Sequence, residues 1–276
     1  PVPGGLLPIA AVTDAVEVVT RFPSASRISS CTAGAIDAPA VTVLNVRTDV
    51  LDVDVSLRGG ELVRADLLKY PEVKGQTTPV RLLQSGGAGK QYLVQNGLAG
   101  NAAGATPEGY PTHLAQFTSD FAGFELQSGQ DVLRVPLEWT SPDGVMVTKT
   151  LVFRRGSYRI DLEYGIQNGS AANWSVQPYV QILRDMPPVE RSYFNVDSYS
   201  FTGPALWDGK YQKLDVSEAE DASLNREITN GWLASLQHHF VAAVVPAKDE
   251  AARYSLNVRG NEYLARTISP AVDVAP

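Results

Sequence analysis

The 276-residue sequence contains a single cysteine, Cys31, and three histidines, His113, His238 and His239. One cysteine excludes an intramolecular disulfide and any cysteine-based zinc site, and it fits an oxidising or a reducing compartment equally well. Basic residues are also in deficit: 23 Lys and Arg stand against 30 Asp and Glu. The summed field therefore repels polyanions, which argues against nucleic acid as a partner and against a basic membrane-surface patch. Long apolar runs are missing too. The longest, such as Leu6–Val12 and Phe240–Val245, fall far short of the roughly 18 residues that cross a bilayer as a helix. No stretch of about 12 residues carries the 3.6-residue helical period, and no repeat of about 20–50 residues is visible.

What is present is the two-residue period of strands, whose successive side chains point to opposite faces. Leu51, Val53, Val55 and Leu57 alternate with Asp52, Asp54 and Ser56. Tyr158, Ile160, Leu162, Tyr164 and Ile166 alternate with Arg159, Asp161 and Glu163. Leu133–Trp139 and Val145–Phe153 read as a hairpin joined by Ser141-Pro142-Asp143-Gly144. Turns at Arg154–Ser157 and Asn168–Ser170 extend it into a four-strand meander ending with Trp174–Leu183. Further strands are expected at Glu61–Leu68, Val80–Gln84, Gln91–Gln95, Trp232–Val245, Arg253–Val258 and Glu262–Ile268, with surface loops at Gly97–Tyr110 and Met186–Ser192. About a dozen strands without an amphipathic helix predict an all-β, large antiparallel sandwich with few short helices. Residues 1–40, rich in Ala, Ser, Thr, Val and Pro, read as a partly ordered N-terminal tether, with Ile9–Val19 packed on the main body. Residues 41–276 form the domain.

The motifs of site chemistry are weak. Ser85-Gly86-Gly87-Ala88-Gly89-Lys90 lacks the spacing of a phosphate loop, because Gln84 and Gln91 stand where that loop needs Gly and Ser or Thr. A flexible hairpin loop is the better reading. His238 and His239 are adjacent in an expected strand and so point to opposite faces, which prevents them from sharing a metal. No Gly-x-Ser-x-Gly elbow occurs. Glu138, Asp161 and Glu163 lie on neighbouring strands, but Asp161 and Glu163 occupy a polar face where solvated carboxylates are ordinary. Glu218, Glu220 and Asp221 lack the spacing of a calcium loop. We expect no catalytic residues, no metal and no cofactor. The aromatics are more informative. Tyr193, Phe194, Tyr199, Phe201, Trp207 and Tyr211 crowd a segment with Gly203, Pro204 and Gly209. Such density marks either a partner surface or an aromatic cluster closing one end of the sandwich.

Several blocks in order resemble one known family. They are Val46-Arg47-Thr48-Asp49-Val50-Leu51-Asp52-Val53, Arg58-Gly59-Gly60-Glu61-Leu62, Leu67-Leu68-Lys69-Tyr70-Pro71 and Pro79-Val80-Arg81-Leu82-Leu83-Gln84. Gln95-Asn96-Gly97-Leu98, the stretch Thr148–Tyr158, and Gly231–Phe240 with Pro246 complete the set. Over roughly residues 41–276 the chain is similar to the large periplasmic domain of Gram-negative YidC-type membrane protein insertases. The resemblance implies a β-super-sandwich of the galactose-mutarotase kind. It also implies a parent chain anchored in the inner membrane, with a transmembrane helix before residue 1 and the insertase core after residue 276. In that family a final strand and a helical segment follow the point where this chain stops. The function implied is a non-catalytic interaction domain on the periplasmic side of the inner membrane. It would contact Sec translocon components, SecDF and SecYEG, and nascent membrane or exported polypeptides, with the domain itself monomeric. The expected partner residues are Tyr199, Phe201, Trp207, Tyr211, Trp232 and Phe240. A sugar-binding or mutarotase-like protein is the alternative, and it requires a carboxylate base and a histidine acid facing one sheet.

Overall fold

The computed structural model describes residues 10–19, 43–86, 90–101, 105–186, 201–237 and 239–276, with the backbone alone for 10–19 and Glu108. The described residues form nineteen strands. In chain order the first are β1 (Ala10–Val19), β2 (Val43–Arg47), β3 (Leu51–Ser56), β4 (Glu61–Pro71), β5 (Pro79–Gln84) and β6 (Tyr92–Gly100). Next come β7 (Gly123–Glu125), β8 (Val132–Thr140), β9 (Val145–Arg154), β10 (Arg159–Asn168) and β11 (Trp174–Asp185). The last are β12 (Thr202–Trp207), β13 (Tyr211–Lys213), β14 (Asn225–Thr229), β15 (Trp232–Gln237), β16 (Phe240–Val245), β17 (Ala251–Arg259), β18 (Glu262–Ile268) and β19 (Val272–Val274). Helix among the described residues is confined to a 3-10 turn at Pro107–Gly109 and α1 (Ala219–Ala222).

Two sheets result. The first has eight strands in the order β13-β12-β15-β16-β1-β10-β9-β8. The second has eleven, in the order β14-β17-β18-β11-β6-β5-β4-β3-β2-β7, with β19 beside the start of β11. The alternation read from the sequence becomes the inside and outside of this sandwich. Ile160, Leu162, Tyr164 and Ile166 of β10 and Leu51, Val53 and Val55 of β3 are buried in one continuous core. The polar phase of β3 lies on the outer face of the second sheet. There Arg64 bonds Asp52 at 2.7 Å, Asp54 at 2.6 Å and Asp66 at 2.5 Å, while Arg81 bonds Asp66 at 2.7 Å and Arg47 pairs with Asp52. The fold is all-β, as expected.

Four local readings change. The meander has three strands, because the second edge of β10 is taken by β1, paired from Ala10↔Ile166 to Glu17↔Arg159. β11 crosses to the other sheet and fills a slot between β6 and β18. Asn168 stabilises this crossing, its Nδ2 donating to the carbonyls of Ala172 and Val274, both at 2.8 Å. Trp232–Val245 is a hairpin, β15 and β16, closing at Gln237↔Phe240; no Gly or Pro announces the turn. Gly97–Gly100 belongs to β6 rather than to a loop. A side chain at Gly97 would put Cβ 2.8 Å from Thr112 Cα, so glycine lets the following loop cross the strand. Finally, β2 and β7 pair parallel, whereas every other named strand pair is antiparallel. The loops read at Ser85–Lys90 and Met186–Ser192 fall largely outside the described residues, as do Cys31 and His238.

Polar side chains cross the interior to join the sheets. Lys149 stands at an inward position of β9 and is fully buried, donating from Nζ to the carbonyls of Gly59 at 2.5 Å and Asn96 at 3.2 Å. Its ammonium also lies 4.4 Å from the Phe117 ring centroid and 5.6 Å from that of Tyr164. Gly60, at φ +63°, leaves room for it: a Cβ there would meet Lys149 Cδ at 2.9 Å. On β11, Arg184 donates from Nη1 to Ser235 Oγ at 2.7 Å and to the Leu236 carbonyl at 2.8 Å, and its guanidinium lies over the Tyr92 ring. Tyr263 donates to the same Ser235 Oγ at 2.7 Å. Burial pushes the Lys149 pKa down to about 7, against the opposing pull of the Glu61 carboxylate. Between pH 7 and the ordinary lysine range the unfolded chain thus binds the extra proton, so folded stability rises with pH across that window. From pH 7 to pH 9 the chain is expected to gain about 2 kcal/mol over Lys149→Met, measured by urea denaturation at each pH. Parallel pH profiles for the two proteins would refute the assignment.

Candidate interaction surface

Among the described residues β13 is an edge strand of the first sheet, joined to β12 by the turn Asp208-Gly209-Lys210, where Gly209 takes φ +103°. The registers Trp207↔Tyr211 and Trp207↔Trp232 place three aromatic residues in one cross-strand row. In an antiparallel sheet directly paired residues share a face, so the row follows from the register alone. Leu206 and Leu233, the inward neighbours, are fully buried, which puts the aromatic row on the outer face. Trp207 and Trp232 have ring centroids 6.4 Å apart at 14°, and Tyr211 lies 6.1 Å from Trp232 at 39°. Trp207 is 37% and Tyr211 48% exposed.

The row is held in place from behind. A Cβ at Gly231 would lie 2.6 Å from the Trp207 carbonyl, so only glycine lets the chain enter β15 there. Asn230, at φ 57°, and Asp249, at φ 63°, lock the two neighbouring turns through Asn230 Nδ2 to Asp249 Oδ1 at 3.0 Å and Asp249 N to Asn230 Oδ1 at 2.8 Å. Arg226 of β14 pairs with Asp208 at 3.1 Å, tying the edge of the second sheet to the turn beneath the row.

Of the residues expected at a partner surface, the fold thus assembles Trp207, Tyr211 and Trp232. Phe201 lies apart from the row with its ring 5.1 Å from Lys213 Nζ. Phe240, at the start of β16, packs edge-on against Tyr70 at 5.6 Å, and Tyr70 contacts Tyr158 at 6.2 Å. It therefore belongs to a different cluster. Tyr193, Phe194 and Tyr199 fall outside the described residues.

The carboxylates expected on the polar face of β10 are not both solvated. Asp161 is 3% exposed and bonded by Arg159 at 2.5 Å and by Arg154. Burial pushes its carboxyl up, but the two arginines outweigh that and hold it below the ordinary range. Glu163 pairs with Arg134. Asp221, in α1, accepts from the backbone of Asp215 at 2.7 Å. Among the described residues no three His, Cys, Asp or Glu side chains cluster as metal ligands would.

A second polar arrangement, which sequence reasoning missed, spans the outer face of the second sheet. Arg266 Nε donates to Gln181 Oε1 at 2.7 Å, Gln181 to Gln95 at 2.7 Å, and Gln95 to Glu61 at 2.8 Å. Burial raises the Glu61 carboxyl, partly countered by Gln95. One residue pair along, the Tyr179 hydroxyl accepts from the backbone N–H of His113 at 2.9 Å and meets its Nδ1 at 2.6 Å. Burial pushes Tyr179 up to about 12 and lowers His113, which also feels the positive charges of Arg266, Lys149 and Arg58.

The chain was compared with known proteins. The family described as YidC periplasmic domain matches residues 43–276. The chain belongs to the YidC periplasmic-domain family. A membrane protein insertase YidC from Thioalkalivibrio sulfidiphilus is 37% identical over 283 residues, covering 100% of this chain and 48% of the relative. The one from Methylococcus capsulatus is 38% identical over 237 residues, 84% and 42% of the two chains. That from Coxiella burnetii is 36% identical over 244 residues, 86% and 42%. The chain thus spans less than half the length of these YidC relatives. The resemblance read from the sequence blocks is upheld, and β1 lies outside the residues that the family match covers. No helix among the described residues is long and apolar enough to cross a membrane.

Because the Trp232 ring packs against both of the other rings, Trp232→Ala is expected to cost about 1–3 kcal/mol of stability, and Tyr211→Ala at the exposed end less than about 1 kcal/mol. Urea denaturation followed by circular dichroism gives the order. Equal costs would mean that the three rings do not pack as a unit.

Proposed function

We propose that this chain is a non-catalytic interaction domain on the periplasmic side of a bacterial inner membrane. In this reading it serves an insertase by contacting Sec translocon components, SecDF and SecYEG, and segments of nascent membrane or exported polypeptides. The observation that carries this reading is the row Tyr211-Trp207-Trp232 at the β13 edge of the first sheet. Its rings are large and pre-positioned, and two of them are substantially exposed. Aromatic side chains held rigidly by their own sheet lose little conformational freedom on binding, so most of the area they bury contributes to affinity. The family's membership names insertases rather than enzymes acting on a small molecule. That supports a role in contact and positioning rather than chemistry on the domain.

A second reading, binding of a sugar, draws on His113 and Glu61 sharing the outer face of the second sheet, as an acid–base pair would require. Against it, the His113 ring nitrogen is engaged by Tyr179 and the Glu61 carboxylate by Gln95. Calorimetry against common hexoses separates the two readings: saturable heat that is lost in Glu61→Gln supports the sugar.

The interaction reading is tested in the full-length parent protein. A Trp207→Ser and Tyr211→Ser double variant, which changes only outward-facing rings, is expected to recover SecDF at least fivefold less efficiently on co-purification. A photo-crosslinker at Tyr211 is expected to trap the same partner in cells. Normal SecDF recovery together with no crosslink would rule the surface out.

A further inference from the structure

Around Arg266 the outer face of the second sheet holds hydrogen-bond donors and positive charge that form no ion pair among the described residues. Arg266, on β18, is half-buried. Its Nε is committed to Gln181, and its guanidinium lies 5.6 Å from the Tyr179 ring centroid. Among the described residues it forms no ion pair. The nearest carboxylate in its row, Glu61, is three strand spacings away along the glutamine chain, about 14 Å at the usual separation. Burial lowers the arginine's pKa, Tyr179 opposes that shift, and Arg259, another cation, adds to it. Gln181 and the Tyr179 ring supply no charge, whereas a half-desolvated guanidinium gains most from a carboxylate or phosphate.

On the other side of Tyr179 stands His113, its ring perpendicular to the tyrosine at 5.8 Å. The tyrosine oxygen accepts the His113 backbone N–H, which leaves its own proton available to Nδ1, the arrangement taken in the proposal. Nδ1 is then the acceptor of a neutral imidazole, and Nε2 carries the hydrogen. That Nε2–H has no acceptor among the described residues. The fields reaching His113 come from Arg266, Lys149 and Arg58, all positive. Arg58 and Arg259 likewise form no ion pair among the described residues. The result is a fixed tyrosine flanked by two donor groups, with further arginines on either side.

We propose that Arg266 and His113, positioned by Tyr179, form a binding site for a phosphate group on the outer face of the second sheet. A phosphate suits the site better than a carboxylate. It presents several acceptor oxygens to separated donors and carries enough charge to answer more than one arginine. The phosphate can arrive free or as the headgroup of a phospholipid. Beside Arg266, Gln181 and Gln95, the next residues on the same face are Leu264, Leu183 and Leu93, which pair directly across β18, β11 and β6. An apolar chain attached to the phosphate would lie along this leucine row. The site is independent of the aromatic row, which lies on the opposite sheet.

The test is an NMR titration of the 276-residue chain at pH 7 in phosphate-free buffer. Inorganic phosphate is expected to shift the resonances of His113, Tyr179, Gln181 and Arg266 saturably. Arg266→Gln and His113→Ala should each weaken binding about tenfold, the loss expected for one charge-assisted hydrogen bond. Arg134→Gln, on the other sheet, should bind as the parent does. Dihexanoyl phosphatidylglycerol below its micelle concentration distinguishes the source. Added shifts at the methyls of Leu93, Leu183 and Leu264 with tighter binding identify a lipid headgroup, and shifts matching inorganic phosphate identify the free anion. If phosphate leaves His113 and Arg266 unmoved, or if Arg266→Gln keeps a dispersed folded spectrum and binds phosphate as tightly as the parent, the proposal is wrong.

Discussion

Lys149 and Arg184 reach from one sheet to the other through the interior, and the relative placement of the two sheets depends on them. Neither is neutralised by a carboxylate. Each is received by backbone carbonyls of the opposite sheet and by aromatic faces, with a serine or glutamine oxygen added for Arg184. A core of Val, Leu and Ile would tolerate many lateral offsets of two sheets, since hydrophobic contact is non-directional. Hydrogen bonds from a desolvated cation do not, because a misplaced sheet would leave the charge buried and unpaired. Lys149 thereby fixes the Arg58–Glu61 turn and the middle of β6, and Arg184 fixes β15. Both candidate surfaces inherit their geometry from these two contacts. The aromatic row extends outward from β15, and the glutamine chain runs through β6 and Glu61.

The two outer faces, in turn, have contrasting chemistry. On the first sheet the notable feature is apolar and held at an edge. On the second, charge is organised in two ways. Around Arg64, cations and carboxylates alternate and close on one another. Around Gln181 of β11 and Arg266 of β18, the donors form no ion pair among the described residues. The same strand alternation that fills the core decides this division, since each outward position is free to carry whichever chemistry the inward neighbour permits.

Much of this was legible in the sequence where one periodicity acted alone. The hairpin at Ser141–Gly144 and the strands β3, β8, β9, β10, β17 and β18 follow from alternation and turn residues. The readings that failed did so where a long-range partner decided the outcome. Nothing near Asn168 announces that β10 is already flanked by β1, so the next strand appeared to continue a meander. The hairpin closes at Gln237↔Phe240 without Gly or Pro because the β15–β16 register, not local preference, decides it. Composition singled out Trp207 and Tyr211 of the row, while Trp232 and Phe240 entered with the family resemblance, which could not separate Phe240, whose partner Tyr70 is remote in sequence. One signal was available and passed over. Lys149 interrupts the inward series Val145, Val147, Leu151 and Phe153, and a lysine in the apolar phase of a strand is a buried cation that needs acceptors. The glutamine chain gave no such sign, since Gln95 and Gln181 lie on outward positions where polar residues are ordinary.

β1 changes how the molecule carries mechanical load. Its backbone is bonded to β10 over residues 10–17 and to β16 over residues 15–19, so among the described strands it is the one that joins the two halves of the first sheet. Antiparallel ladders place their hydrogen bonds perpendicular to the strand. Tension drawn along β1 must therefore break many bonds together in shear rather than one at a time by peeling. The strand acts as a keystone under pull. Its removal would expose two long unpaired edges, on β10 and β16, facing each other across the gap and open to strand pairing with any extended chain.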